Sequence, residues 1–467
     1  MAADPLGGSD ALMRVIGLRK NRIPMEYRTR FFCLLALGLP LAAHAAQHTS
    51  VLPISLDGLR PGDVLEAEQR GLKIPTLRRF LSDGSYANAV HGVTPTLTYP
   101  SHTTLITGVA PAKHGIVSNL TFDPTLKNQI GWAWYAEDIR VPTLWDAAHQ
   151  AGLRTANEHW PVSVGAQVDF NLPQIWRSGM PDDRKLLKAL ATPGLLDSME
   201  HELGPYADGI DESIEGDENR ARFAVHLIER KHPQFMTAYF TALDHQQHLS
   251  GPDTPAAHAA LERIDSIVAL LLAAARKADP RTVICIVSDH GFAPLHHDVN
   301  LFAAFADAGL LRFDASGQIS GWDAAPWYNA GAAAIVLREP KDTAVRQRVV
   351  SLLDKLRGNA ELGIDRVLDR EQIAALGGNP QADYWLDFKL DYEMAPDPKA
   401  PLLSASHYLG MHGYRADLPE MQSTFLISGP GVPAGHALGQ IDMRDIAPTL
   451  AKLLGVSLPS AEGKPVF

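Results

Sequence analysis

The sequence predicts an α/β fold with a mostly parallel central sheet and helices on both faces. Three observations predict it. Short apolar runs alternate with helical patterns along most of the 467 residues. Runs such as "VICIV" are continuously apolar, as strands covered on both faces are. Several of these runs end in an aspartate and a turn, the place where open α/β sheets build ligand sites.

The elements follow in order. "VLPISLDG" (51–58) is a buried strand breaking at Asp57-Gly58, and a helical pattern follows near 74–82. "YANAV" (86–90) reads as a strand, and "TPTLTYPSHTTLITG" (94–108) opens a helix running to about Thr107. A helix over 141–152 precedes the strand "LRTANEHW" (153–160), and a helix near 218–231 precedes "QFMTAYFTAL" (234–243). The Ala/Leu-rich stretch 254–278 is a long helix before "TVICIVSDHG" (282–291). Residues 310–405 break the alternation and are expected to form an inserted subdomain with some antiparallel pairing. The pattern resumes with "TFLISGPG" (424–431) and closes with a helix over 443–455.

Composition narrows the function. The chain is 46% hydrophobic and 20% charged, with a net charge of −11 and no long like-charge blocks. That excludes a broad basic surface for nucleic-acid backbones. A phosphate ester remains a possible ligand if metal ions supply local positive charge. From Met25 the sequence carries Arg28 and Arg30, an apolar run from Phe31 to Ala43, and Ala43-His44-Ala45. This is the pattern of a secretory signal ending at Ala45, too short in its apolar part to span a bilayer. Residues 1–24 read as a misassigned start, and 46–467 as one catalytic domain. Only Cys285 would then remain, which permits no internal disulfide and suits a bacterial periplasmic or secreted location.

Three strand ends carry chemistry. Asp57, Asp244 and Asp289-His290 each follow a predicted strand. Any one such aspartate is ordinarily a turn former or helix cap. Asp244 and His248 are four apart and share a face if helical, whereas His245 would point elsewhere. At a strand end, Asp289 and His290 can face one metal or two. His412 stands between two glycines, and His296-His297 has no partner at useful spacing. Asp and His together suit zinc. Asp57, Asp244, His248, Asp289, His290 and His412 would make two three-ligand sites, each with an open position, suited to in-line displacement at phosphorus. The missing nucleophile could be a threonine at the start of the 94–108 helix.

Taken together, "DGLR" (57–60), "PTLTYPSHTTLITG" (95–108), "HGIVSN" (114–119), "DHQQHLSGP" (244–252), "SDHG" (288–291) and "HGY" (412–414) resemble the nucleotide pyrophosphatase/phosphodiesterase family of the alkaline phosphatase superfamily. The resemblance runs from about residue 50 to 455 and is weakest over 310–405. It implies an alkaline-phosphatase-like fold and hydrolysis of phosphodiester or phosphoanhydride bonds through a phospho-threonine. It implies Thr98 as nucleophile and as an additional metal ligand. Two Zn2+ ions per chain would be held, one by Asp57, Asp289 and His290, the other by Asp244, His248 and His412. Asn119 would donate to a phosphoryl oxygen, and Tyr99 and Tyr239 would line the substrate pocket. The partner would be a small nucleotide or other phosphodiester. Gln247 departs from the glycine common before His248. A sulfatase is excluded by Thr98 and His102 at its signature positions. A phosphonoacetate hydrolase or phosphomonoesterase of the same superfamily is the nearest alternative, and a catalytically silent phosphate-binding protein the alternative of another class.

Overall fold

The computed structural model describes residues 49–467 apart from 129–130, 177–181 and 208–210. The signal-like segment 25–45 lies outside them. An eight-stranded sheet forms the frame, in the order His436–Ala437, Ser85–Tyr86, Phe425–Ser428, Val283–Val287, Val51–Leu56, Phe235–Phe240, Thr155–Glu158, Phe170–Leu172. The last five of these run parallel. The strands Val51–Leu56, Phe235–Phe240 and Val283–Val287 are buried at every position, which is why their sequences show no alternation. Phe425–Ser428 departs from the parallel rule and lies antiparallel to Val283–Val287. "YANAV" is not one strand but two short ones, Ser85–Tyr86 and Ala89–His91, in different sheets.

The helices cover the sheet. Pro255–Ala278 starts from a Thr254 cap whose side chain accepts from the Ala257 amide, and buries Leu261, Ile264, Ile267, Val268 and Leu271 at helical spacing. Ile214–Lys231 packs beside it. Ile446–Leu454 packs against Thr98–Thr107 and ends at Gly455 in the left-handed conformation.

Within 310–405 lies a separate sheet of Ala324–Asn329, Ala332–Leu337, Tyr384–Phe388 and Ile364–Asp369, antiparallel throughout. The helix Thr343–Gly358 turns Val345, Val349, Leu352, Leu353 and Leu356 into a second apolar core beneath it.

The three aspartate-bearing strand ends are neighbours because Val283–Val287, Val51–Leu56 and Phe235–Phe240 are adjacent and parallel. Parallel strands lie about 4.8 Å apart, so residues leaving their carboxyl ends are delivered to one place. A fourth piece arrives by a different route. The strand Ala293–Val299 follows His290, and Gly410–Met411 pairs with its first two residues, Met411↔Ala293 and Gly410↔Pro294. That short pairing sets His412 beside His290.

Candidate active site

Asp57 directly follows its strand, while Asp244 and His248 lie on the helix Ala242–Ser250. The helical spacing brings His248 Nε2 to 3.3 Å from Asp244 Oδ2. His412 Nε2 is 3.8 Å from Asp244 Oδ1. On the other side, His290 Nε2 is 3.4 Å from Asp57 Oδ1 and 3.1 Å from Asp289 Oδ2. By ligand-atom distance two triads form, Asp57/Asp289/His290 and Asp244/His290/His412. His290 belongs to both triads, its ring stacked on that of His412 with centroids 3.6 Å apart. His248 flanks the second triad, with its ring 5.4 Å from that of His412.

The polar atoms sort into tethered and untethered sets. Tyr239 donates its hydroxyl to Asp57 Oδ2, and the Gly58 amide donates to Asp289 Oδ1 at 3.2 Å. Asp57 Oδ1, Asp289 Oδ2 and Asp244 Oδ1 are buried without a hydrogen-bond partner. The three histidines follow one rule. His248 Nδ1 meets the Gly410 carbonyl at 2.9 Å, His412 Nδ1 the Thr96 carbonyl at 3.0 Å and His290 Nδ1 the Gly291 carbonyl at 3.1 Å. A carbonyl only accepts, so each Nδ1 carries the proton, and each Nε2 presents a lone pair to the carboxylates when the ring is neutral.

This donor set fits divalent cations. A buried polar oxygen left without a partner costs about 1–3 kcal/mol or more, and three such oxygens would take a sizeable share of a stability of about 5–15 kcal/mol. Burial, with Asp244 and Asp289 nearby, holds the Asp57 carboxyl well above the usual range. Burial opposes ionisation of Asp244 too, but His248, His412 and His290 outweigh it and hold that carboxyl low. Cations between the triads would relieve the repulsion and complete the unpartnered oxygens.

Thr98 is the first residue of the helix Thr98–Thr107. The cap position is Leu97, which supplies no side-chain bond. Its place is taken by Asn119, whose Oδ1 accepts from the Tyr99 amide at 2.9 Å, so that its Nδ2 is the atom left to donate. Neighbouring threonines spend their hydroxyls on carbonyls: Thr96 on Tyr414, Thr103 on Tyr99, Thr104 on Val109 and Thr107 on Thr103. Thr98 does not; its Oγ1 lies 3.5 Å from His290 Nε2. Its carbonyl accepts from His102 Nδ1 at 2.8 Å, and His102 Nε2 in turn accepts from Ser55 Oγ at 2.8 Å. The Ser55–His102 chain fixes the backbone that carries Thr98. Sequence reasoning missed it, although the i, i+4 spacing of Thr98 and His102 was a signal.

A cavity of about 220 Å³ opens onto these groups, lined by Thr98, Asn119, both triads' accessible residues and the rings of Tyr99, Trp132, Trp176, Tyr328 and Tyr408. A larger cleft of about 420 Å³ lies at the opposite, amino ends of the strands and carries neither triad. Tyr99 lines the cavity but is almost wholly buried, its ring 5.3 Å from Trp132. Tyr239 lines the cavity as well, with its hydroxyl turned to Asp57 and its ring to His102, so it also positions a carboxylate. The Tyr239 backbone pairs with Ser55 across the sheet, which directs its side chain to the same face as the site. His245 belongs to neither triad and pairs with Glu212 at 3.1 Å, a carboxylate that lines the same cavity. His296 and His297 do find a partner, Asp391, on the exposed side of their strand.

Residues 51–415 match the family model described as type I phosphodiesterase / nucleotide pyrophosphatase. The chain belongs to this family. Among members of the type I phosphodiesterase/nucleotide pyrophosphatase family, it is 25% identical to an uncharacterized pyrophosphatase/phosphodiesterase of Schizosaccharomyces pombe, over 86% of this chain and 76% of that protein. It is 24% identical to ectonucleotide pyrophosphatase/phosphodiesterase family member 1 of Homo sapiens, over 51% of this chain and 23% of that one. Venom phosphodiesterase 2 of Crotalus adamanteus is 22% identical over 82% of this chain, which spans 43% of the venom protein. The fold is that of murine ectonucleotide pyrophosphatase/phosphodiesterase 5, solved as an inactive threonine-to-alanine variant in complex with AMP, with a TM-score of 0.64, 19% identity and coverage of 89% of this chain and 97% of that one. The human form of the same protein gives 0.64 at 18% identity, with the same coverage.

Proposed function

We propose that this chain is an exported, zinc-dependent phosphodiesterase that cleaves nucleotide or nucleotide-like diesters through a phospho-threonine at Thr98. One observation carries the reading: an uncapping threonine hydroxyl, unlike its four neighbours, faces two abutting Asp/His triads whose inner carboxylate oxygens are unpartnered. Asp57, Asp289 and His290 would hold one zinc with Thr98, and Asp244, His248 and His412 the other. Bound there, the ions supply Lewis-acid charge that favours the Thr98 alkoxide and the departing oxygen near neutral pH.

The chain's own groups do the rest. Thr98 Oγ forms a bond to phosphorus as the bond to the leaving alcohol breaks, and the alcohol departs with a proton. Water then attacks the phospho-threonine, releases the phosphate monoester and restores the hydroxyl. The Asn119 amide donates to a phosphoryl oxygen, and Ser55 and His102 hold the Thr98 backbone against the changing charge. Trp132, backed by the buried Tyr99 ring, offers flat apolar surface to the second ester group. AMP in the murine relative supports a nucleoside 5′-phosphate as product, and the signal-like segment 25–45 supports export, as do relatives named for the cell exterior or for venom.

A preference for diesters over monoesters follows. A monoester dianion carries one more negative charge, which such enzymes commonly meet with Arg or Lys. Among the described residues lining the cavity there is neither, and the inserted segment contributes only Tyr328 and Ala330. The p-nitrophenyl ester of thymidine 5′-monophosphate is expected to exceed p-nitrophenyl phosphate in kcat/KM by about tenfold or more. The reverse order would place the chain with the monoesterases.

The function itself is tested by loading purified protein with zinc and comparing nucleotide diesters, monoesters and phosphonates. Binding without turnover of any of them would overturn it.

A further inference from the structure

The position before His248 is where this chain departs from the glycine implied by its resemblances. Gln247 is fully buried on the helix Ala242–Ser250, between the two residues that helix gives to the site. Its Nε2 donates to the Gly58 carbonyl at 3.1 Å. The Gly58 amide donates to Asp289 Oδ1 at 3.2 Å. Gly58 is therefore gripped by both of its polar atoms, one from each side of the site, immediately after Asp57.

Close packing reinforces the grip. Gly58 has φ +68°, and a Cβ there would meet Gln247 Nε2 at 2.8 Å and the Phe292 ring at 3.1 Å. Gly410, two residues before His412, approaches the backbone of Gln247 so closely that a Cβ would lie 2.5 Å from its carbonyl oxygen. One residue thus touches the loop of Asp57, the helix of Asp244 and His248, and the strand that delivers His412.

We infer that Gln247 is a positioning residue that clamps the Asp57–Gly58 turn to the Ala242–Ser250 helix and so sets the spacing between the two Asp/His triads. The inference rests on the reading of those triads as a paired-metal site. In-line displacement between two ions depends on their separation, and outer groups that orient ligands typically change metal affinity or activity by about 10- to 100-fold. Among the described residues no other hydrogen bond joins the Gly58 carbonyl to the helix, and the sheet bonds stop at Asp57, whose amide donates to the Phe240 carbonyl.

The test uses Gln247→Met, which keeps the bulk and removes the donor, and Gln247→Glu, which keeps the shape and cannot donate when ionised. Hydrogen exchange is read by mass spectrometry on metal-free protein, and zinc affinity by titration with a competing chelator. Exchange at residues 57–60 is expected to rise about tenfold, while exchange in Thr98–Thr107 and Val283–Val287 stays as in the wild type. Zinc affinity is expected to fall about tenfold. Unchanged exchange at 57–60 in both variants overturns the clamp. So does a uniform rise across the core, which would mark simple loss of stability. If the wild-type protein binds no zinc, the paired-metal reading fails, and the exchange comparison still decides whether Gln247 holds the turn.

Discussion

Thr98→Ala is expected to lower kcat by about three orders of magnitude or more while leaving metal content nearly intact. The size follows from the role: removing a nucleophile removes the covalent route, and what is left is positioning and charge stabilisation. The retained metal follows from the geometry. Asp57, Asp289, His290 and His412 are held by Tyr239, Gly58, Gly291 and Thr96, and His248, tied to Gly410, pairs with Asp244; the Thr98 hydroxyl is 3.5 Å from its nearest partner, His290. The hydroxyl does not cap its helix, since Asn119 occupies that role. The fold should therefore survive the substitution. Assay with a nucleotide diester, with zinc measured on the same sample, checks both halves. A variant that keeps a tenth of the wild-type kcat would remove Thr98 from the chemistry.

Metal removal is the second large effect. Chelation is expected to abolish activity and zinc to restore it, with about two ions bound per chain by the count of triads. His412→Ala should lose the ion beside Asp244, and Asp289→Ala the ion beside Asp57. His290→Ala should weaken both, because its ring contacts each triad. Stability should move with occupancy: an ion at about 100 times its dissociation constant adds about 2.7 kcal/mol per site. Elemental analysis and thermal unfolding with and without chelator read these out together. Full activity in chelator would end the paired-metal account.

The strand ends were the legible part of this molecule. A mostly apolar strand followed by Asp is a local signal, and it drew attention to Asp57, Asp244 and Asp289 before any topology was known, although the strand expected over 234–243 stops at Phe240 and Asp244 stands on the helix that follows. The i, i+4 pair Asp244/His248 was equally local. What the sequence hid was set by contacts between distant segments. His412 reaches the site only because Gly410–Met411 pairs with Ala293 and Pro294. His290 stacks on His412, which no spacing rule foretells. Tyr239 sits in an apolar strand, and its neighbour across the sheet, Ser55, could not be known without the register. The antiparallel run of Phe425–Ser428 was hidden for the same reason: an apolar strand carries no mark of its direction. Gln247 was visible as a departure, yet its meaning depended on the position of Gly58, 189 residues away.

The covalent step is the centre of this account, and acid quenching during turnover tests it most directly. Zinc-loaded protein is mixed with an excess of a nucleotide diester, quenched within one turnover and digested for peptide mass spectrometry. A phosphoryl group carrying the nucleoside is expected on the peptide containing Thr98, and none on that peptide in Thr98→Ala. Turnover without any modified Thr98 peptide, or with the phosphoryl group on another residue, would contradict it.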